Sequence, residues 1–557
     1  MKYSNKILSQ TITQLCLAAG IDHIVISPGS RNAALTIGFT EHEDFKNFSI
    51  VDERCAAFFA LGLAQQLKKP TALICTSGSA LLNYFPAVAE AFYSNIPLVI
   101  ISADRPAHLI EIGDGQTIQQ ENVFGNHILF NANCIEGSSH QAYNEEIIHD
   151  ALRTAIHQKG PVHINAPFSE PLYGTTSELM LQPQNMLFRL TSESFEEDLT
   201  AFANKWNDAK RKMILVGVLT PGSIEEEFIY KLAEDESVIV LTETTSNLHH
   251  PNFFPSIDQL IAPLGEFEFQ KLRPELLLTF GGMVVSKKIK VFLRNYAPDE
   301  HWHVDSYKAY DTYFALKKHF KTKANVFLKK FLPHVDIVSS SYRIYWQELR
   351  KYRLELHKKY LKEIPFSDFK VFSLVIEALP KQLQLQLSNS ATIRYSQLFE
   401  FDNDQMVFCN RGTSGIDGST STAIGAARAS ELPCVLISGD LSFLYDSNAL
   451  WNNYIPANFR MIVVNNGGGG IFRILPGAKE TSHFNEFFET RHSLSAKHLC
   501  SMYGIDYKMA NDENTVGTAF EDFFEASEKP MLLEIFTPSE VNDKILLDYF
   551  KYIATPN

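Results

Sequence analysis

Asp440 and Asn466 lie 26 positions apart, each just past an apolar run. Cys434 to Ser438 reads as a buried strand ahead of Gly439-Asp440-Leu441-Ser442, and Met461 to Val464 as a second strand ahead of Asn465-Asn466 and four glycines. That separation suits one helix joining two neighbouring parallel strands. An open parallel sheet places its ligands at the carboxyl ends of such strands. A carboxylate and an amide oxygen brought to one crevice fit a hard dication, because Mg²⁺ takes oxygen ligands in near-octahedral array and draws the rest from water and phosphates. Either fragment alone is an ordinary turn or loop; the spacing joins them.

Other groups have the same placement. Asp52-Glu53 opens a helix, where acids complement the macrodipole. Arg31 follows Pro28-Gly29-Ser30, Arg105 follows the strand Leu98 to Ser102, Arg411 follows the strand Met406 to Cys409, and Arg394 begins the helix after Ser388 to Ser390. Guanidinium forks bind carboxylates bidentately. One arginine would be a surface ion pair; four at strand ends point to substrates with several carboxylates. Ile416 stands among small residues in Asn410-Arg411-Gly412-Thr413-Ser414-Gly415-Ile416-Asp417-Gly418.

The elements that must hold these residues read as three α/β units. At 557 residues the chain exceeds one core. A hydrophobic content of 45% with 20% charged residues is that of a globular protein. A net charge of −14 argues against nucleic acid or an anionic membrane as main partner. No apolar run reaches a membrane span, and MKYSNKILSQ lacks a signal-peptide core. Seven scattered cysteines without a Cys-x-x-Cys pair predict buried free thiols and a cytoplasmic protein.

In chain order, the first unit (1–180) predicts helices over Ile7 to Ala19, from near Arg31, through Leu67 and over Ala80 to Tyr93. Its strands are His23 to Ser27, Phe48 to Val51, Thr71 to Cys75, Leu98 to Ser102 and Pro161 to Ala166. Residues 168 to about 208 read as a linker. A central unit (195–340) has strands at Met213 to Val218, Val238 to Leu241, Leu276 to Phe280 and His301 to Val304. A solvated helix near 340 to 363 leads to the last unit (366–557), which ends in the strand Met531 to Phe536. Near-continuous apolar strands between helices predict doubly wound parallel sheets. PTALICTSGSALLNYFPAV and PCVLISGDLSFLYDSNALW share strand, turn and helix at matching offsets, as a duplication would.

Gly-Asp followed by about twenty-five residues and Asn-Asn resembles the diphosphate-binding signature of thiamine-diphosphate enzymes. Many members have Gly-Asp-Gly; here Leu441 follows Asp440. SPGSRNAALT, VDERCAAFFALGLA, TSGSALLNYFPAVAEA, SADRP, GQTIQQ, SKKI, NRGTSGIDGSTSTAIGAA, GDLSFLYDSNAL and NNGGGGIFRILP together resemble the 2-succinyl-5-enolpyruvyl-6-hydroxy-3-cyclohexene-1-carboxylate (SEPHCHC) synthase family of menaquinone biosynthesis. The resemblance implies a transferase with pyrimidine, central and diphosphate domains, working as a homodimer or dimer of dimers. Such an enzyme decarboxylates 2-oxoglutarate and adds the succinic-semialdehyde carbanion to isochorismate in a 1,4-addition. An acetolactate-synthase-like lyase is the nearest alternative; Gly-x-Gly-x-x-Gly is lacking, which disfavours a dinucleotide oxidoreductase.

Carried over by motif, Glu53 activates the cofactor across the dimer interface. Asp440, Asn466 and the Gly468 carbonyl hold Mg²⁺ (Mn²⁺ as an alternative). Ser77, Gly439, Leu441, Ser442 and Ile471 join them around thiamine diphosphate, with Ile416 as a wedge between its rings. Ser30, Arg31, Arg105, Gln116, Lys287, Ser390, Arg394, Arg411 and Phe472 form the substrate set. Two departures stand out: Gly115 replaces a common asparagine before Gln116, and Gly467 replaces a third asparagine, which predicts a looser loop.

Overall fold

The computed structural model describes residues 2–183, 195–474, 477 and 479–554. Three parallel sheets carry the architecture. The first holds β1 (His23–Ile26), β2 (Lys46–Ser49), β3 (Thr71–Cys75), β4 (Leu98–Asp104), β5 (Phe130–Asn133) and β6 (Val162–Pro167), in the order β2-β1-β3-β4-β6-β5. The central sheet holds β7 (Lys212–Val216), β8 (Val238–Leu241), β9 (Leu276–Phe280), β10 (Glu300–Val304) and β11 (Leu316–Phe320), in the order β8-β7-β9-β10-β11. The last holds β12 (Leu383–Leu387), β13 (Gln405–Cys409), β14 (Cys434–Gly439), β15 (Arg460–Asn465), β16 (Asp506–Ala510) and β17 (Met531–Phe536), in the order β13-β12-β14-β15-β17-β16.

The first and last sheets therefore share one topology, and the echoed segments occupy its third strand, β3 and β14. In each, the chain leaves the first strand toward one edge and then crosses to the other side. The switch points lie between β1 and β3 and between β12 and β14, where ligands of open sheets sit. Every strand residue of β4 and β12 is buried, as parallel strands covered on both faces require. One apolar core runs through both units, with Phe58, Phe59 and Leu61 packed together with Ala423, Ile424 and Phe443.

Several boundaries differ from the sequence reading. The helix expected over Ala80 to Tyr93 is two, Ser79–Asn83 and Phe85–Ser94, because Pro86 lacks the N–H a continuous helix would use. The expected linker contains the helix Thr200–Asp208, whose Trp206 is buried in the central core. The helix near Arg31 begins at Ala33, and Arg394 lies in the last turn of Ala391–Ser396 rather than at its start. Between β14 and β15 the expected single helix is a short one, Asp440–Tyr445, followed by a 3₁₀ turn, Ser447–Leu450. The charged helix Tyr342–Glu363 is not simply solvated: it buries Tyr342, Trp346, His357 and Tyr360, with Arg343 and Arg353 bonded to backbone carbonyls. Periodicity missed β5, β11 and β16, which are short edge strands, and the interior strand β12, whose leucines alternate with Gln384 and Gln386. All seven cysteines are free and buried. Among the described residues no helix is long and apolar enough to cross a membrane.

Candidate functional site

Asp440 opens its helix at the carboxyl end of β14, beside β15, and the two strands pair in parallel through Gly439 and Val464. Its Oδ2 accepts hydrogen bonds from the Gly467 and Gly468 amides at 2.9 and 3.0 Å. Both glycines have positive φ, +77° and +154°, and a β-carbon on Gly468 would stand 2.7 Å from the Glu489 carbonyl. At the Gly467 departure the backbone amide itself is tied to Asp440. His492 Nε2 lies 3.3 Å from the same carboxylate oxygen, and that neighbour holds the imidazole above its ordinary range.

Asn466 is oriented by its own amide. Its Nδ2 donates to Asp368 Oδ2 at 2.8 Å, which leaves Oδ1 buried without a protein partner. Asp368 takes a second bond from Thr537 at 2.5 Å. Burial pushes its carboxyl up to about 6, offset by those bonds and aided by the nearby Asp440 charge. A carboxylate beside an unsatisfied amide oxygen is a hard-oxygen donor pair that fits a dication of the magnesium type. Within this crevice Ser442 Oγ donates to the Ile416 carbonyl at 2.7 Å, so the half-buried Ile416 is fixed to the Asp440 helix. The Gly468 carbonyl accepts from Gly470 N at 3.0 Å.

Around it stands the basic half of the site. Arg411 NH1 donates to Asn389 Oδ1 at 2.6 Å, while its Nε is buried and unpartnered. Burial, together with the charge of Arg411, lowers the Arg394 guanidinium below its ordinary range. Lys287 is exposed at the first turn of Lys287–Asn295, which Ser286 caps. Burial lowers Lys290 likewise, with Arg411 and Lys287 among the like charges near it. Ser390 sits at φ +69°, a strained conformation for a residue with a β-carbon, and such strain concentrates at functional sites. Ile471 and Phe472 lie half-buried in the 3₁₀ turn Gly470–Ile474, with Phe472 against Phe488 at 6.2 Å.

The first unit presents the other half. Asp52 is the helix cap, accepting from Cys55 N at 3.2 Å, so the structure divides the acid pair and leaves Glu53 free of capping. Glu53 Oε2 accepts from Asn83 at 3.5 Å. Ser77 Oγ is buried without a partner. At the switch point a β-carbon on Gly29 would stand 2.3 Å from Thr76 Cβ, so the Ser30 turn and the Ser77 turn touch. Tyr173 donates to Ser30 Oγ at 3.2 Å. Arg31, buried, donates to the Phe168 carbonyl and pairs with Glu170. Arg105 donates to the Gly115 carbonyl at 2.9 Å, so the backbone of the departing residue is itself a contact. Gln116 follows at φ +54°.

The candidate residues thus fall into two groups, one on the first unit and one on the last and central units. Within the chain, the Asp52–Cys55 turn rests on the last unit through Arg54 to the Tyr445 carbonyl and Asn448 to Asp52. Among the described residues no hydrogen bond or ion pair joins Glu53, Ser30, Arg31, Arg105 or Gln116 to Asp440, Asn466 or Arg411. Sequence reasoning missed Asn389, Asp368, Glu90, Glu243 and His492. Asn389 lay between two serines already singled out; the rest act from distant segments without a local signal.

Residues 7–127 match the family "Thiamine pyrophosphate enzyme, N-terminal TPP binding domain", 189–387 the "Middle domain of thiamine pyrophosphate" and 390–535 the "Thiamine pyrophosphate enzyme, C-terminal TPP binding domain". The fold is similar to the crystal structure of benzoylformate decarboxylase from Polynucleobacter necessarius, with TM-score 0.71 and 16% identity over 96% of this chain and 99% of that one. The SEPHCHC synthases of Flavobacterium psychrophilum and Flavobacterium johnsoniae are 56% and 57% identical over the whole of both chains. That of Porphyromonas gingivalis is 37% identical over 99% of this chain and 98% of its own. With three thiamine pyrophosphate domains in order and full-length identity of this size, the chain belongs to the 2-succinyl-5-enolpyruvyl-6-hydroxy-3-cyclohexene-1-carboxylate synthase family.

Proposed function

We propose that this protein is a thiamine-diphosphate-dependent transferase that decarboxylates 2-oxoglutarate and joins its succinyl-semialdehyde unit to isochorismate by 1,4-addition, releasing CO₂, in menaquinone biosynthesis. The observation that carries the reading is a cluster of basic residues beside an oxygen-donor crevice in a chain of net charge −14. The two substrates bring four carboxylates between them, and Arg394, Arg411 and Lys287 would take these as charge-assisted hydrogen bonds. Thiamine diphosphate, when bound, supplies the electron sink for decarboxylation.

Each part of the chain then has a task. Asp440, Asn466 and the Gly468 carbonyl would hold Mg²⁺ (or Mn²⁺) and through it the diphosphate. Ile416 would set the angle between the rings, with Ser77, Gly439, Leu441, Ser442 and Ile471 around them. Glu53 would hold a proton at N1′ of the pyrimidine, as a general acid–base group. Ser30, Arg31, Arg105, Gln116, Ser390 and Phe472 would complete the substrate set. As the resemblance to thiamine-diphosphate enzymes implies, the complete site would be assembled in a homodimer, or a dimer of dimers, in the cytoplasm. The three units 1–180, 195–340 and 366–557 would serve as pyrimidine, central and diphosphate domains.

The test is omission: purified protein with thiamine diphosphate, Mg²⁺, 2-oxoglutarate and isochorismate, following isochorismate loss by absorbance as each component is left out. Turnover should require all four. Acetolactate formation from pyruvate alone would instead make it an acetolactate-synthase-like enzyme.

A further inference from the structure

Two buried carboxylates outside the proposed substrate set share an arrangement. Glu90, in the helix Phe85–Ser94, is 1% exposed. Its Oε1 accepts from Gly412 N and Ser94 Oγ, both at 2.7 Å; its Oε2 accepts from Thr413 N at 2.6 Å and Thr413 Oγ1 at 2.9 Å. Glu243 is 3% exposed and accepts from Val285 N at 2.6 Å and Ser286 N at 2.7 Å. Neither makes an ion pair among the described residues. Each grips two successive backbone amides, and a substrate-set cation adjoins each pair: Arg411 before Gly412, Lys287 after Ser286.

A buried carboxylate needs compensation, and a guanidinium nearby would be the usual partner. Pairing with Arg411 itself would neutralise the charge a substrate carboxylate needs. Holding the backbone instead fixes the cation's base while its side chain keeps donors to spare, and Arg411 Nε is such a donor. The approach is close: a β-carbon on Gly412 would stand 2.6 Å from the Glu90 carbonyl, so the turn is shaped to Glu90. The two grips come from different units onto neighbouring loops, since Glu90 and Arg411 lie in the first and last units and Glu243 in the central one.

We infer that Glu90 and Glu243 are positioning residues that hold Arg411 and Lys287 in place for substrate carboxylates by binding the backbone beside each cation. This rests on the reading of Arg411 and Lys287 as substrate-binding residues.

The experiment is a double-mutant cycle on the full-length holoenzyme with Glu90→Gln, Arg411→Ala and the pair, and with Thr413→Val as a milder variant that removes one donor. KM for 2-oxoglutarate and isochorismate, kcat, thiamine diphosphate affinity and melting temperature are read for each. Glu90→Gln should raise substrate KM about tenfold or more, the size of a lost charge-assisted hydrogen bond, with cofactor affinity unchanged. Thr413→Val should move KM the same way by a smaller factor, without lowering the melt. In the Arg411→Ala background, Glu90→Gln should cost almost nothing further, because the two act as one. Glu243→Gln should raise KM likewise and lose its effect beside Lys287→Ala. Equal costs of Glu90→Gln with and without Arg411, or an unchanged KM in folded Thr413→Val and Glu90→Gln, would overturn the inference. If Arg411→Ala and Lys287→Ala leave substrate KM untouched, the substrate reading itself falls, and this inference with it.

Discussion

Gly62 and Gly425 face one another where the helices Glu53–Leu67 and Ser419–Ala429 cross. A β-carbon on Gly62 would stand 2.1 Å from the Thr422 carbonyl, and one on Gly425 would stand 2.0 Å from the Phe59 carbonyl. Each glycine thus meets the carbonyl three residues before the other, the reciprocity of a local pseudo-two-fold axis. The axis relates equivalent helices of two sheets with one strand order. One helix carries Glu53 at its start and the other follows Ile416, so this crossing fixes how the first and last units of one chain pack together.

Gly62→Ala should therefore destabilise the protein, although alanine is the better helix former by about 1 kcal/mol. Backbone overlap at 2.1 Å outweighs that gain, and overpacking of a tight core costs about 1–3 kcal/mol or more. Urea unfolding should show a lower midpoint for Gly62→Ala and for Gly425→Ala. A midpoint at or above that of the wild type would mean the helices can separate freely.

Glu53→Gln should keep the fold and thiamine diphosphate affinity and cut turnover by at least ~10²-fold, the scale of general acid–base catalysis. Steady-state kinetics beside a cofactor titration checks this. Near-wild-type turnover would remove Glu53 from the chemistry.

Asp368→Ala should lower Mg²⁺ affinity about 10–100-fold, as expected when a group orienting a metal ligand is lost. The variant frees the Asn466 amide to rotate, so Oδ1 no longer has a fixed direction. Mg²⁺ titration of thiamine diphosphate binding reads the effect, and an unchanged Mg²⁺ requirement would show that Asn466 needs no such partner.

Arg411→Ala should weaken use of both substrates while cofactor binding stays intact. Its guanidinium touches Asn389 and not Asp440 or Asn466. Loss of cofactor affinity instead would assign it to the diphosphate.

Glu243 gives a pH signature. Burial pushes its carboxyl from 4.5 up to about 7, so between these values the folded state binds the proton more tightly than the unfolded one. Its contribution is most favourable below about pH 4.5 and falls as pH rises toward 7, by at most about 1.4 kcal/mol per pH unit. The stability of the wild type relative to Glu243→Gln should decline over that window and level off above it. A difference independent of pH would show that the carboxyl titrates at its ordinary value.

Much of this site is legible in the chain itself. Apolar runs ending in Gly, Pro, Ser and Asn mark strand ends, and those turns carry Arg31, Glu53, Arg105, Ser390, Arg411, Asp440 and Asn466. Local signals fail where context takes over. Pro86 splits a helix whose apolar spacing runs on, and Trp206 anchors a segment that looks like linker. The two members of Asp52-Glu53 are alike in local pattern; the family resemblance singles out Glu53, and the cap bond from Cys55 N shows that Asp52 is the one that closes the helix.

By itself, then, the sequence determined most of the buried strands, the turns that end them and the reactive groups those turns carry, because backbone propensity and apolar alternation act over a few residues. Tertiary structure alone decided who holds whom: Asp368 on Asn466 across 98 positions, Glu90 on Gly412 across 322, and Gly62 against Thr422. Those pairings depend on how layers pack and where backbones approach within contact distance, and no local pattern in a chain encodes a neighbour that folding brings from three hundred residues away.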